Sequence, residues 1–469
     1  MSTLAPAPPR TRKQIPGLRL SLPFYVFKPW LKFGEPIRLF EYLRRTYGNI
    51  AQYRFLGTPI VFVNEPRMIQ QILIQDAHRY VKERTVRRMK ILLGEGLITS
   101  DEPIHMRQRR IAAPAFHRQR IAAYGDQIVA IAAAQREHLR DGEVIDIAAA
   151  TMQLSLEIVA RTLFATEVTD DIRRINDEVN TIMELYNFIV AFPRIELFLN
   201  WPIPGLVRFR RAKARLDAVV NRLIHQRREE VAQGLPDRGD LLSMLLRSVD
   251  DEADADGRHT GMSDEQLRDE VLTIFLAGYE TVANGLAWTW YLLSQNPEVE
   301  ARLHEEVDRV LGTGDTARLP TLADYASLRY TEQVFAEAMR LYPPAWAMGR
   351  MAIEDTTLGE YDVPRGAHVF FSQYILSRDP EYFPDPLRFD PERFTPEAKA
   401  ARPRFAYFPF GGGSRQCIGE AFAWMEGVFS IATMAQQWRM VYTGTEPPVP
   451  QAKITLRPRD PLRMRLVRR

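Results

Sequence analysis

The stretch from Phe410 to Gly419 constrains this 469-residue chain more than any other, because it carries the chain's only cysteine, Cys417. Three consecutive glycines, Gly411–Gly413, let the backbone bend tightly and leave no side chain in the way of a large flat ligand. Such a loop can direct several backbone N–H groups at one sulfur, and Arg415 adds a positive charge two residues away. Both features favour a thiolate over a thiol.

The pattern around Cys417 admits more than one interpretation. A lone intracellular cysteine is ordinarily a small buried hydrophobe. A thiolate on a glycine-rich platform, shielded from water by Phe410, suits instead an axial haem ligand. A phosphate-binding loop would also use Gly411–Gly413, but the Lys-Ser/Thr ending that such a loop needs does not follow the glycines.

The stretch matches every defined position of the pattern F-x-x-G-x-R-x-C-x-G, and so resembles the haem-thiolate monooxygenases of the cytochrome P-450 family. The resemblance runs from about Pro36 to the C-terminus, with five motifs in the expected order. It implies a mainly α-helical fold with small β-sheets, in which an α-helical domain with a β-rich N-terminal subdomain encloses one haem b. Cys417 would bind the iron, and Phe410, Gly411 and Arg415 would lie against the cofactor.

A basic segment predicts a second contact region for a cofactor. His105 and Arg109 lie four residues apart and share one face of a helix. Two such donors can clamp a haem propionate, but an exposed basic helix explains the same residues equally well. The resemblance implies the propionate role for both. It also implies that a ferredoxin or flavodoxin docks on this face, steered by positive charge from Arg107, Arg110, Arg118 and Arg120.

A long central helix is predicted over residues 264–295, with Ser263 as its N-cap and Gln266 at the capping-box position. In its middle, Ala277 and Gly278 are small enough to let a haem and dioxygen approach. They precede Glu280 and Thr281.

Thr281 can hydrogen-bond to a carbonyl one turn earlier, and the glycine near it predicts a local bulge. Glu280 and Thr281 together offer a carboxylate and an alcohol for proton delivery. Ordinary packing would explain the residues from Ala277 to Thr281 taken alone. They resemble the family motif A-G-x-[DE]-T, which implies the catalytic role.

Glu337 and Arg340 lie three residues apart on one predicted helical face, a spacing that is commonplace in helices. The resemblance implies more, namely a buried E-x-x-R pair that also engages an arginine from a later segment, here Arg393. This triad would hold the loops on the haem side in place. The resemblance also puts Arg350 where relatives bind a propionate.

The substrate pocket is the least defined part of the sequence. The basic stretch from Arg84 to Lys90 is either a solvated surface loop or a cover over the pocket, with one arginine meeting a substrate carboxylate. Phe188–Val207, rich in aromatic residues and broken by prolines, resembles a mobile lid, although a packed loop fits nearly as well. The acidic run Asp250–Gly257 fails the calcium-loop spacing and is predicted to be a solvated loop.

Composition bounds the class of protein. An apolar content of 46% supports a large core, and a net charge of +3 gives no sign of nucleic-acid binding. The absence of obvious linkers predicts one domain over residues 36–469, after a Pro-rich tail and leading segment over residues 1–35. Charges and prolines interrupt Leu18–Phe33, so no transmembrane anchor is expected. One cysteine fits a reducing cytoplasm.

Together these residues predict a haem-thiolate monooxygenase. The resemblance implies that it activates O₂ with electrons from a separate donor protein and hydroxylates or epoxidises a hydrophobic molecule such as a fatty acid, terpenoid, steroid or macrolide. A peroxide-using peroxygenase is the enzymatic alternative, although such relatives typically lack the acid–alcohol pair. A haem-based binding protein without turnover is the alternative from another class.

Overall fold

The structure, a computed structural model, describes residues 13–21, 36–55, 57–164, 178, 181–182, 199–236, 238–250 and 260–469. The α-helices are α1 Pro36–Tyr47, α2 Pro66–Gln70, α3 Arg84–Arg88, α4 Lys90–Leu93, α5 Ile104–Ala112, α6 Arg118–Glu137, α7 Ile147–Phe164, α8 Pro204–Ala232, α9 Leu241–Arg247, α10 Asp264–Gln295, α11 Pro297–Leu311, α12 Arg329–Leu341, α13 Gln373–Leu376, α14 Pro396–Ala401 and α15 Glu420–Ala435.

The strands are short and scattered among the helices. They are β1 Gly17–Ser21, β2 Ile50–Phe55, β3 Thr58–Val63, β4 Tyr80–Lys82, β5 Val144–Asp146, β6 Met348–Ala352, β7 Thr356–Leu358, β8 Tyr361–Val363, β9 His368–Phe371, β10 Trp438–Tyr442, β11 Pro450–Ala452, β12 Leu456–Pro458 and β13 Arg463–Arg468. The predicted fold class, mainly α with small β-sheets, is therefore confirmed.

The described chain divides into two compact units that interleave along the sequence. The smaller comprises residues up to Glu83, Ala347–Pro384 and Pro403–Arg415, and the larger comprises Arg84–Trp346, Asp385–Arg402 and Gln416–Arg469. The prediction of one domain over residues 36–469 is not tested by this division and stays a prediction. Residues 13–21, expected in the leading segment, instead supply β1, which pairs in parallel with β2.

A six-stranded sheet in the order β1-β2-β3-β9-β6-β4 forms the centre of the smaller unit. The β-rich runs 51–55 and 59–63, split by Gly57 and Thr58, predict a hairpin. This prediction is confirmed, because β2 and β3 pair antiparallel from Ile50 opposite Val63 to Phe55 opposite Thr58. Buried Asp379 accepts hydrogen bonds from Arg44 (2.7 Å) and Asn64 (2.9 Å).

Helices packed around α10 form the core of the larger unit, where α10 lies against α7, α8, α12 and α15. The predicted bounds of α10, residues 264–295, and the capping box between Ser263 and Gln266 are confirmed. Helical periodicity in the sequence predicts one helix over residues 126–164. This prediction is wrong in one respect, since α6 ends at Glu137 and β5 precedes α7. Helical periodicity also predicts a helix over Asp171–Phe192. That segment, except for residues 178, 181 and 182, and most of the lid Phe188–Val207 lie outside the described residues.

One described helix, α7, is long and apolar enough to span a membrane by length and composition. Eleven of its residues are buried, and it packs against α6 and α10. A core helix passes the same test of length and composition, and the packing of α7 fits that role.

Candidate active site

A change in exposure marks the middle of α10. From Leu267 to Leu293 the helix is buried throughout, apart from four half-buried residues: Ala277, Gly278, Glu280 and Thr281. These are the motif residues named from the sequence. The helix therefore opens to contact with a small molecule at one place only along this span, and the residues there are two small ones, a carboxyl group and a hydroxyl group.

Thr281 uses its hydroxyl within the helix. Its Oγ1 donates a hydrogen bond to the carbonyl of Ala277 at 2.9 Å, as predicted. The predicted bulge near Gly278 is wrong, since α10 is α-helical from Asp264 to Gln295. A Cβ on Gly278 would lie 3.1 Å from Val159 of α7, so this glycine permits close helix packing.

Glu280 accepts a hydrogen bond from a segment outside its own helix. Thr455, in the turn between β11 and β12, donates its hydroxyl to Glu280 Oε1 at 2.5 Å, and Asn284 donates from Nδ2 to Thr455 Oγ1 at 3.2 Å. Neither partner was predicted from the sequence. Asn284, four residues after Glu280, could have been found from helical spacing, whereas Thr455 lies 175 residues away along the chain and gives no such signal.

The Cys417 side chain is exposed, yet it is surrounded by enough protein that burial raises the pKa of its thiol to about 11. The Cys417 sulfur is therefore accessible to a small molecule, although protein atoms surround it closely. The N–H of Gly419 and the charge of Arg109 lower the pKa of this thiol, against the effect of burial. The positive charge seen to lower this pKa is that of Arg109, and the effect of Arg415 on the thiol stays a prediction.

His105 and Arg109 lie on α5, as predicted. Arg109 donates from Nη1 to the carbonyl of Gln416 at 2.7 Å, so it holds the residue that precedes the cysteine. His105 is buried, with Nδ1 3.0 Å from Glu102 Oε1. Burial lowers the pKa of Arg109. Their contacts with a propionate remain predictions.

The glycines before the cysteine allow the tight backbone bend that was predicted. Gly411 and Gly413 adopt positive φ angles of 73° and 72°, a conformation that side chains disfavour. A Cβ on Gly412 would lie 2.8 Å from Phe405, and one on Gly413 would lie 2.1 Å from the carbonyl oxygen of Leu73. The loop therefore needs glycine at Gly412 and Gly413 in order to pack against other residues of the smaller unit.

The remaining predicted cofactor residues belong to the smaller unit. Arg350 lies on β6 and donates to the Gly349 carbonyl at 2.9 Å. Phe410 and Arg415 are half-buried, and Arg415 ends a short 3₁₀ turn that begins at Gly413. Their contacts with haem stay predictions.

The predicted triad is confirmed. Arg340 donates to both carboxyl oxygens of Glu337, at 2.6 and 2.8 Å, and Arg393 Nε lies 3.5 Å from Glu337 Oε1. Arg340 also donates to the carbonyls of Pro386 and Arg388. Burial raises the pKa of Glu337, and the hydrogen bonds from Arg340 oppose that rise.

The stretch expected to lack regular structure, Arg84 to Lys90, instead forms α3 and the start of α4. Arg84 and Arg87 are exposed, and Arg87 lies 3.5 Å from Asp101. Arg88 is buried. Of the three arginines considered for a substrate carboxylate, Arg88 is therefore the one with restricted access to solvent.

Asp250 departs from the predicted solvated acidic loop, whose residues 251–259 lie outside the described part of the chain. It is buried, and Arg110 donates to both of its oxygens at 3.1 Å. Arg107 lies 3.5 Å from it and also donates to Thr260 and Gly261. Two of the arginines expected to be surplus on α5 therefore hold this segment.

The residues present fit a haem. Cys417 offers an accessible sulfur, and a metal ion deprotonates a thiol that coordinates it, whatever the pKa of the free group. A Cβ on Gly419 would lie 4.0 Å from that sulfur, an ordinary van der Waals distance, so this residue lies directly beside the sulfur. Among the described residues, no group of three or more His, Cys, Asp and Glu side chains could hold a different metal.

Comparisons with known proteins agree with this geometry. The family model described as Cytochrome P450 matches residues 16–465. Cyclooctatin synthase of Streptomyces melanosporofaciens is 38% identical over 428 residues, covering 89% of this chain and 88% of the relative. Pentalenene oxygenase of Streptomyces avermitilis is 34% identical over 441 residues, covering 94% of each chain. The crystal structure of the cytochrome P450DA heme domain has a TM-score of 0.85 and 25% identity, covering 98% of each chain.

Fold and site thus define a mainly α-helical protein with one accessible cysteine and a helix that presents an acid and an alcohol. The chain belongs to the cytochrome P450 family. It is a cytochrome P450 monooxygenase with haem as its cofactor, as the sequence predicted. A hydrophobic substrate, O₂ and a redox partner follow from this class.

Proposed function

We propose that this monooxygenase hydroxylates a terpenoid, that Cys417 would bind the haem iron, and that Glu280 and Thr281 deliver protons. The observation that carries the proposal is the half-buried set Ala277, Gly278, Glu280 and Thr281 in an otherwise buried length of α10. Relatives at 34 to 38% identity include one named for pentalenene, and a further one, at 35%, is named cyclooctat-9-en-7-ol 5-monooxygenase. These names favour an alicyclic substrate over a linear one.

When bound, haem supplies the chemistry that activates dioxygen and inserts oxygen into a C–H bond, and the protein supplies orientation, protons and exclusion of water. Thr281 Oγ1 can leave the Ala277 carbonyl and pass a proton toward the site. Glu280, half-buried, takes the next proton from water and returns to the carboxylate when it gives that proton up.

Thr281→Val tests the proton route. Valine keeps the shape but removes the hydroxyl, so we expect electrons to be consumed while peroxide replaces the hydroxylated product. Thr289→Val is the matched control, because Thr289 also donates to the carbonyl four residues earlier, at 2.7 Å, but is fully buried. Both variants are assayed for product, peroxide and electrons consumed. Unchanged coupling in Thr281→Val would contradict the route.

The absorption spectrum of the reduced protein with carbon monoxide tests the ligand. We expect a strongly red-shifted Soret band in the wild type and its loss in Cys417→His. A band that survives the substitution would remove Cys417 from its role. Product formed from peroxide at the rate obtained with O₂ and electrons would favour the peroxygenase alternative, and absence of any product with every substrate would favour the non-catalytic one.

Buried Arg88 favours a substrate with a carboxylate as a narrower alternative. Spin-state titrations with a terpene acid and its methyl ester distinguish the two. We expect Arg88→Gln to lose any preference for the acid and exposed Arg84→Gln to keep it. Equal preference in the wild type, Arg88→Gln and Arg84→Gln would leave the neutral terpenoid as the substrate class.

Two further properties are part of the proposal. An acidic ferredoxin or flavodoxin is proposed as donor at α5 and the start of α6, where Arg120 of α6 is exposed and Arg107 and Arg110 of α5 are partly engaged by Asp250. A cytoplasmic location is proposed from the single cysteine and from the bacterial sources of the Streptomyces relatives.

A further inference from the structure

The partner of the Glu280 carboxyl group comes from a distant segment. Thr455 Oγ1 donates to Glu280 Oε1 at 2.5 Å, and Asn284 Nδ2 donates to Thr455 Oγ1 at 3.2 Å. An amide N–H can only donate, so it occupies a lone pair of the hydroxyl oxygen. The hydroxyl hydrogen is then directed at the carboxyl group, and bonds in such a chain strengthen one another.

The hydroxyl of Thr455 is fixed in space. Its turn is closed by a hydrogen bond from Lys453 N to Thr455 O, and the Trp346 indole donates to the Lys453 carbonyl at 2.9 Å. The next residue, Leu456, donates its N–H to the Pro344 carbonyl, and its own carbonyl accepts from the Trp288 indole of α10. The turn is therefore tied to α10 itself.

Burial separates the fixed parts of this chain from the part that can move. Thr455 is 6% exposed and Asn284 is 2% exposed, whereas Glu280 is half-buried. The two neutral groups are locked by packing, and the carboxyl group has room to rotate about its own side-chain bonds. It can leave Thr455 and return without any backbone movement.

We propose that Thr455 is a positioning residue that holds the Glu280 carboxyl group between proton transfers, with Asn284 orienting its hydroxyl. This inference rests on the proposed role of Glu280. A proton arrives at the carboxylate from water, the carboxyl group turns from Thr455 toward Thr281, and the proton leaves through water or Thr281 Oγ1. The carboxylate then returns to the hydroxyl, so the protein gains and loses one proton per transfer.

Thr455→Val removes the hydroxyl at nearly constant shape, and Thr455→Ser restores it. We expect Thr455→Val to lower kcat roughly tenfold, the value of about one hydrogen bond, to divert electrons to peroxide and to leave KM within about twofold. Thr455→Ser should recover most of the coupling. Asn284→Ala keeps the Thr455 hydroxyl but removes the group that orients it. We therefore expect its kcat and coupling to lie between those of Thr455→Val and Thr455→Ser.

A readout without turnover comes from infrared spectroscopy of the resting protein. The difference between wild type and Glu280→Gln identifies the stretching band of the Glu280 carboxyl group. We expect that band to shift in Thr455→Val and to return in Thr455→Ser. Thr443→Val is the control, because exposed Thr443 also donates a hydroxyl hydrogen bond, to the Arg463 carbonyl, without contacting Glu280.

The outcomes separate the two proposals. If Glu280→Gln uncouples turnover but Thr455→Val keeps both the infrared band and the coupling of the wild type, the positioning role is overturned and the role of Glu280 stands. Equal defects in Thr455→Val and Thr455→Ser would also overturn it, since packing rather than the hydroxyl would then matter. If Glu280→Gln leaves coupling intact, both proposals fall.

Discussion

Glu337 and Glu280 are both glutamates on core helices, but their surroundings are opposite. Glu337 is fully buried on α12 and is bound by the guanidinium of Arg340, by Arg393 and by the N–H of Asp390 at 2.9 Å. Glu280 on α10 is half-buried and takes a hydrogen bond from one neutral hydroxyl.

The difference separates a structural carboxylate from one suited to chemistry. Charged partners hold Glu337 so firmly that any change of partner would leave a buried charge unpaired, which is costly. A single neutral donor holds Glu280 in place but can be exchanged for water at a cost of about 1 kcal/mol. The first arrangement fixes the segment with Pro386 and Arg388, and the second allows a proton to be handed on.

Glu426 of α15 is a third case. It is fully buried, and burial raises the pKa of its carboxyl to about 8, with Ser155 of α7 acting against that rise. Unlike Glu337 it has no guanidinium among the influences on its pKa. It is therefore a carboxyl group that the fold keeps protonated at neutral pH.

The largest expected effect comes from Glu337→Gln. It removes the charge and leaves the Arg340 guanidinium buried, so we expect a loss of roughly 3–5 kcal/mol in the free energy of unfolding and poor retention of haem. Denaturant unfolding and the haem absorbance measure both. The matched control is Glu332→Gln on the same helix, where the carboxylate lies 3.6 Å from Lys399 near solvent. The control should change stability by less than about 1 kcal/mol; equal losses would contradict the comparison.

Glu426→Gln should have an intermediate effect that depends on pH. The folded protein keeps the proton up to about pH 8, whereas the unfolded chain releases it near the ordinary value of 4.5. The wild type therefore loses stability as pH rises from about 4.5 to 8, and glutamine abolishes that loss. We expect the variant to be more stable by roughly 3 kcal/mol at pH 7 and equal to the wild type near pH 4.5. Denaturation midpoints of the wild type and Glu426→Gln across this range check the prediction. A difference between the two that does not change with pH would contradict it, because the Glu426 carboxyl group would then be ionised in the folded state already.

Glu280→Gln should have the smallest effect on stability. Glutamine can still accept the hydrogen bond from Thr455, so we expect the free energy of unfolding to stay within about 0.5 kcal/mol of the wild type. Product formed per electron should nevertheless fall strongly, because an amide cannot deliver a proton. Unfolding curves and coupling measured on one preparation check this. A loss of stability as large as that of Glu337→Gln would mean that Glu280 has a structural role like that of Glu337, and would contradict the comparison.

The parts of the fold that depend on local spacing could be predicted from the sequence. The capping box fixed the start of α10 at Asp264, and residues at i and i+3 or i+4 brought together Glu337 with Arg340 and Thr281 with the Ala277 carbonyl. These follow from the geometry of one helix, which needs no knowledge of the rest of the chain. The pattern around Cys417 was specific enough to give the family and the cofactor.

Contacts between distant segments depended on the tertiary structure. Asp269 of α10 accepts from the N–H of Glu95 at 2.8 Å, and a Cβ on Gly94 would lie 2.0 Å from the Asp269 carboxyl group, so that glycine serves a partner 175 residues away (269 − 94). Arg109 with Cys417 and Arg110 with Asp250 are likewise pairs that are distant in sequence and close only in the folded chain. No spacing rule connects such residues, because their meeting depends on how several elements pack at once.

The sequence by itself therefore determined which residues serve haem binding and proton delivery. Only the tertiary structure determined which partner positions the Glu280 carboxyl group. The residue types needed for haem binding and proton delivery lie in short motifs, because each works through neighbours within one turn or one loop. The partner that sets where the Glu280 carboxyl group rests is Thr455, and it reaches Glu280 only because the β11–β12 turn is bound to α10 and to Pro344 and Trp346. A hydrogen bond needs two atoms within about 3 Å, and only the folded chain brings these two that close.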